Sequence, residues 1–289
     1  MSRKKKWAIA LAVIIALVGI LVTLSFTVFS LKTVQINFLT SHTISLTAEE
    51  AVQKGEIGMG RSVFFHSKKG YVERLEKAYP SLEIVNIETV FPNTFVINCA
   101  QRQQVYAVES EGGYFICDED LKVLEKVQTF SSATDNPILL QNVIVENQNA
   151  EAGDFLQVQN YIDIYSALVE NNRLLFEQQS IIERVSYSTE YDQNSKRDVF
   201  VASVHMFNGQ TYRILNADII LNKKMATLLQ VYSQIFSLIG QPIDQSDESL
   251  GVWTEELLQN ATVEINNYYL DQENCYFLVI KPQESMPNV

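Results

Sequence analysis

Cysteine is scarce. Cys99, Cys117 and Cys275 are the only three in 289 residues, far apart and without a C-x-x-C pair. Such spacing excludes the usual structural zinc patterns and a dense disulfide framework, and an odd count leaves at least one thiol unpaired. The expectation is buried free thiols acting as small apolar side chains. Histidine is equally sparse: His42, His66 and His205 stand alone, with no H-E-x-x-H or H-x-H spacing. His42 and His66 are expected on exposed loops, and His205 facing outward from a strand. A metal centre is not expected, nor any cofactor. G-x-S-x-G and Walker A motifs are missing, and Gly58-Met-Gly60 is too short for a dinucleotide fingerprint. Carboxylate pairs such as Glu119-Asp120 and Asp247-Glu248 read as solvated turn residues. The expectation is therefore no enzyme. Basic residues are also few beyond the first six positions. The chain carries 22 Lys/Arg against 34 Asp/Glu, a formal net charge of -12. Four of those cations are Arg3, Lys4, Lys5 and Lys6, so the remainder holds 18 against 34, or -16. So acidic a body argues against nucleic-acid binding, because phosphate contacts need clustered Lys and Arg.

What is present begins with an apolar run. Trp7 to Leu31 contains no charged residue, and at ~1.5 Å per residue its length suffices to cross a ~30 Å hydrocarbon core. It is longer than the ~7–15-residue apolar core of a signal peptide, and its exit is bulky. The expectation is an uncleaved single-pass anchor. The basic cluster before it places the N-terminus in the cytoplasm and everything after Lys32 outside the plasma membrane. Six residues before the run leave no room for a cytoplasmic output domain. No later run approaches ~18 uncharged apolar residues. Hydrophobic residues at 47% and charged residues at 19% mark a folded chain, long enough for about two domains.

Past the run, Val34–Phe38 reads as a strand. Thr47-Ala-Glu-Glu50 has the spacing of a capping box that opens a short helix toward Lys54. Gly55, Gly58 and Gly60 form a loop ending in Val63-Phe64-Phe65. Lys68–Tyr79 carries apolar residues at helical spacing and stops at Pro80. Leu82–Phe91 and Thr94–Ala100 are two strands joined at Pro92-Asn93. The order β-α-α-β-β makes a small α+β domain in which two helices cover a three-stranded sheet, with Phe64, Leu75 and Ile87 expected in its core. Further on, Gln104–Glu109, Tyr114–Cys117 and Val123–Val127 read as short strands. Asp154 is a candidate cap for a helix through Tyr161, Ile164, Tyr165, Leu168 and Val169. Ile181–Ser188, Val199–Phe207 and Thr211–Leu215 follow as strands, the last two around the hairpin signal Asn208-Gly209. A long helix over Ile219–Leu238 ends at Gly240 and Pro242. Thr262–Tyr268 and Tyr276–Lys281 close the chain as a hairpin.

The first of these domains, with its Tyr79-Pro80 helix end and the stretch Ile87, Phe91-Pro92-Asn93-Thr94 and Ile97, preceded by Gly58, Phe64 and Leu75, resembles a POTRA domain. Placed directly after one apolar span with a basic tail, it is similar to the FtsQ/DivIB cell-division family. Arg102 matches the Arg of that family's Glu-Arg-x-Pro-like segment, and Tyr114–Asp118 resembles a stretch of its second domain. The resemblance implies an α+β fold: a transmembrane helix at 7–31 after a cytoplasmic tail at 1–6, a POTRA domain at 32–102, a larger β domain with two helices at 103–281, and a flexible tail at 282–289. It also implies a divisome scaffold that recruits FtsB/DivIC- and FtsL-type bitopic coiled-coil proteins and the septal peptidoglycan synthase, and localisation at the division septum. The rival expectation is a membrane-tethered extracytoplasmic enzyme or sensor acting on the cell wall.

The candidate partner site is the last strand, Tyr276, Phe277, Leu278, Val279 and Ile280, with Tyr268 and Tyr269 beside it. As the final strand it is expected to have an unpaired side, and it holds no Lys or Pro to discourage pairing. In the resembled family the corresponding strand receives a strand from the FtsB/DivIC-type partner.

Overall fold

A computed structural model describes residues 3–41, 43–133, 137–171, 181–192, 196–243, 251–266 and 276–280, with the backbone alone at 3–6, 8–10 and 276–280. The chain divides into two compact units, Met1–Gln103 and Gln104–Val289.

In the first unit, α1 (Arg3–Thr27) is followed by β1 (Thr33–Phe38), α2 (Ala48–Lys54), a 3-10 turn at Val63–Phe65, α3 (Lys68–Ala78), β2 (Leu82–Val90) and β3 (Thr94–Gln101). The sheet order is β1-β3-β2, with β1 parallel to β3 and β2 antiparallel to it. Local chemistry fixes the helices. Thr47 Oγ1 accepts from the Glu50 N–H at 3.2 Å while Glu50 Oε2 accepts from the Thr47 N–H at 2.8 Å, a complete capping box for α2. Gly55 ends that helix where a Cβ would stand 2.7 Å from Ala51 O, so the close approach requires glycine. Tyr71 and Leu75, one turn apart on α3, enter the core with Phe95, Ile97 and Cys99 of β3. On the other face of the sheet an amide ladder crosses all three strands. Asn37 Nδ2 donates to Asn98 Oδ1, and Asn98 Nδ2 donates to Asn86 Oδ1, each at 2.7 Å.

The second unit is built on one nine-stranded sheet. Its strands are β4 (Tyr106–Ser110), β5 (Gly113–Cys117), β6 (Val123–Val127), β7 (Ile138–Gln141), β10 (Ile182–Asp192), β11 (Arg197–Met206), β12 (Thr211–Leu215), β13 (Thr262–Asn266) and β14 (Tyr276–Ile280). A two-stranded ribbon, β8 (Ile144–Val145) with β9 (Val158–Gln159), stands apart. The order is β14-β13-β12-β11-β10-β7-β4-β5-β6. Helices α4 (Ile164–Asn171), α5 (Leu221–Gln234) and the short α6 (Glu255–Gln259) bury one face. Met225, Leu228 and Val231 form the apolar stripe of α5. Two buried tyrosines hold the chain ahead of α4 against the sheet: Tyr106 OH donates to Asp163 Oδ1 at 2.7 Å and Tyr187 OH to Ile162 O at 2.6 Å. Asp163 Oδ1 also accepts the Ser166 N–H. It therefore does at α4 what was expected of Asp154, which instead accepts the Glu151 N–H in a turn.

Several expectations are corrected. The fold class is mixed α/β, 30% helix and 35% strand, rather than α+β following a transmembrane helix. Its sheets carry parallel pairs: β1 with β3, β4 and β10 on either side of β7, and β12 with β13. The run Trp7–Leu31 is not one helix. After Thr27 the chain leaves the helical path, Ser30 bridges to Ser62, and Leu31, 1% exposed, donates its N–H to Arg61 O inside the first unit's core. Among the described residues no helix is long and apolar enough to cross a membrane. The expected single-pass anchor, and with it a plasma-membrane location with cytoplasmic N-terminus and extracytoplasmic C-terminus, is overturned by that finding. Phe64 is corrected too. The 3-10 turn sends Val63 into the core and leaves Phe64 56% exposed, in contact with the rings of Phe29 and Phe91.

Candidate partner-binding edge

Among the described residues the last strand in sequence is also the end strand of the sheet: β14 lies antiparallel to β13, with Leu278 opposite Glu264. Which of its backbone groups are spent can be worked out from the neighbouring ladder. Thr211 N–H donates to Ala261 O at 3.0 Å, and Thr211 lies beside Thr262 in parallel register. Backbone groups alternate sides along a strand, so Ala261, Val263 and Ile265 address β12 while Thr262, Glu264 and Asn266 address β14. The partners of that second set are Ile280, Leu278 and Tyr276. Phe277 and Val279 therefore direct their N–H and C=O groups away from β13. Among the described residues no strand stands on that side.

Two of the other edges, β6 and β2, are better covered. At β6, Val123 N–H donates to Asp154 O and accepts through its carbonyl from Gly153 N–H, each at 2.8 Å. At β2, Lys68 Nζ donates to Ile87 O at 2.7 Å and Glu76 Oε1 accepts the Ile84 N–H at 3.0 Å, around a bulge. Bulges and charged side chains of this kind discourage strand addition.

Support for β14 comes from a buried polar chain at one end of β12 and β13. Lys224, fully buried on α5, donates to Leu215 O at 2.8 Å and Asn216 O at 2.5 Å. Asn216 Oδ1 accepts from Arg197, and its Nδ2 donates to Asn266 Oδ1 at 3.2 Å. Asn266 is the register partner of Tyr276. On the open face, Arg213 bridges Glu264 and Glu190. Tyr268, Tyr269 and Cys275 lie outside the described residues, so of the expected site the structure places only the five positions of β14. The register that singles out Phe277 and Val279 had no signal in the sequence.

Groups capable of chemistry are dispersed. His205 sits half-buried between Ser186 Oγ at 3.4 Å and Thr211 Oγ1 at 3.0 Å, rather than facing outward alone. Desolvation, and then the positive charge of Arg184, hold its pKa below the usual histidine value. Ser186 is mid-strand, paired to Ser203 on one side and Gln141 on the other, so the local backbone N–H groups are committed to the sheet. A serine there has no oxyanion hole to serve. His66 Nδ1 shares a 2.6 Å hydrogen bond with Tyr71 OH and its ring meets Phe95 edge-on. Burial lowers its pKa, and it is not the free loop residue expected; His42 lies outside the described residues. Cys99 and Cys117 are free and buried. A cleft of about 470 Å³ between α4 and α5 is lined in part by Glu119, Asp163 and Glu170. Asp163 there holds Tyr106, and Glu170 accepts from Asn222 at 3.0 Å. No group of three or more metal-capable side chains occurs among the described residues.

Neither a scan against protein-family models nor a search of curated proteins finds a match to this chain.

Proposed function

We propose that this chain is an interaction scaffold of the bacterial division machinery, of the FtsQ/DivIB type, that captures an FtsB/DivIC-type coiled-coil protein by strand addition at β14. FtsL-type proteins and the septal peptidoglycan synthase then join through that partner. The observation that carries this reading is the position of β14 at the end of the sheet, with the backbone groups of Phe277 and Val279 directed away from β13. An extended segment that satisfies those groups gains main-chain hydrogen bonds, and alternate side chains supply specificity. The β-α-α-β-β order of the first unit also supports it. No reaction is assigned to the chain.

The test is capture of a purified FtsB/DivIC-type protein by the full chain. Val279→Pro removes one outward N–H while leaving the Leu278 bonds to β13 in place. Capture by the wild type, lost in a Val279→Pro variant with an unchanged thermal unfolding profile, supports the reading. Equal capture by both sinks it.

A further inference from the structure

The acidity of this chain is not shared evenly. Residues 32–103 carry 8 Lys/Arg against 7 Asp/Glu, a formal charge of +1. Residues 104–289 carry 10 against 27, a formal charge of -17, and this is the unit that contains β14. The strand itself is uncharged, and in sequence it is flanked by Asp271, Glu273 and Glu284 against Lys281 alone. On β13, directly opposite Leu278, stands Glu264, whose partner Arg213 is shared with Glu190, so that trio keeps a net negative charge.

We propose that the segment captured at β14 is cationic: an extended stretch with an apolar alternating core and Lys or Arg on either side. This rests on the reading of β14 as a docking edge. A strand approaching the edge enters the field of the whole acidic unit. Complementary charge raises the encounter rate and rejects wrong partners, whereas like charge disfavours docking. The same sign argues against a second copy of this chain as the occupant, since edge-to-edge pairing would press two units of charge -17 together. Main-chain bonds to Phe277 and Val279 then fix the segment's register, and its flanking cations fix its preference.

The experiment uses the full chain and two short synthetic peptides with one shared alternating apolar core, one flanked by lysines and one by glutamates. Binding is measured by fluorescence anisotropy at low and at molar salt. Amide hydrogen exchange across Tyr276–Ile280 reports where each peptide sits. At low salt the lysine-flanked peptide is expected to bind at least about tenfold tighter. That advantage should shrink in molar salt, where the screening length falls to ~3 Å. It should also slow exchange at Phe277 and Val279. Equal or tighter binding of the glutamate-flanked peptide, with protection at those amides, overturns the cationic preference and leaves the docking edge standing. If neither peptide binds, or the lysine-flanked peptide binds without protecting them, the docking edge fails and the preference falls with it.

Discussion

Leu75 shows how much one side chain can decide. It is fully buried on α3, in one core cluster with Tyr71, Phe95 and Ile97. Leu75→Ala should cost about 2–5 kcal/mol, read as a fall in the first unit's unfolding midpoint. Burial sets thiol chemistry as well. Loss of solvation pushes the Cys99 thiol up to about 11 and Cys117 higher still. Because the thiolate is the reactive form, both should resist a thiol reagent at neutral pH until the chain unfolds. Mass spectrometry of the labelled native protein checks this. His205 couples the second unit to pH. Its folded pKa lies below the unfolded value of ~6.5, so as pH falls through that value the unfolded chain takes up the proton first. Stability is intact above about 6.5 and declines below it until the folded-state pKa is passed. His205→Gln should flatten part of that decline in a series of thermal melts. Residue identities in the core were legible where helical spacing spoke, as at Leu75. They were not where a single turn decides which of two apolar neighbours points inward, as at Val63 and Phe64.

At the level of elements, hairpins were readable and parallel pairs were not. A hairpin is signalled by its own turn. Asn208-Gly209 joins β11 to β12, and Gly209 adopts φ +90 as that turn requires. The insertion of β7 between β4 and β10 has no such local mark, because its partners lie far away in sequence and are set by packing. The hairpin from β4 to β5 gives a sharp test. Gly113 has φ +134, and a Cβ there would stand 2.2 Å from Val127 O of the neighbouring strand β6. Gly112, next to it, has open space around it. Gly113→Ala should lower the second unit's stability by about 1–3 kcal/mol or more, while Gly112→Ala should leave it nearly unchanged. Equal effects in denaturant titrations would mean that β5 and β6 can part without cost. The candidate edge was legible in the same partial way. Its place at the end of the chain suggested an unpaired side, but the outward residues, Phe277 and Val279, follow only from the parallel register of β12 with β13.

Over the whole chain, composition gave the sign of the charge, while its partition needed the boundary at Gln103. A unit of formal charge -17 repels itself, and that repulsion weakens the compact state more than the expanded one. The first unit, near neutrality over residues 32–103, lacks this burden. Added salt screens charges beyond about 10 Å at 0.1 M and about 3 Å at 1 M, so it should stabilise the two units unequally. The tryptophans separate them without fragments. Trp253 is buried in the second unit's core, whereas Trp7 on α1 is already 75% exposed and changes little on unfolding. Fluorescence should therefore follow the second unit, and circular dichroism both. Raising sodium chloride from low to about 0.5 M should move the fluorescence midpoint up by several degrees, since ~1 kcal/mol shifts a unit of this size by about 2–4 °C. The other transition should scarcely move. A fluorescence midpoint that stays fixed or falls would mean that the acidic side chains are already spaced widely enough not to oppose folding. The cationic preference assigned to the β14 edge would then have to rest on charges close to the strand, Glu264 first among them.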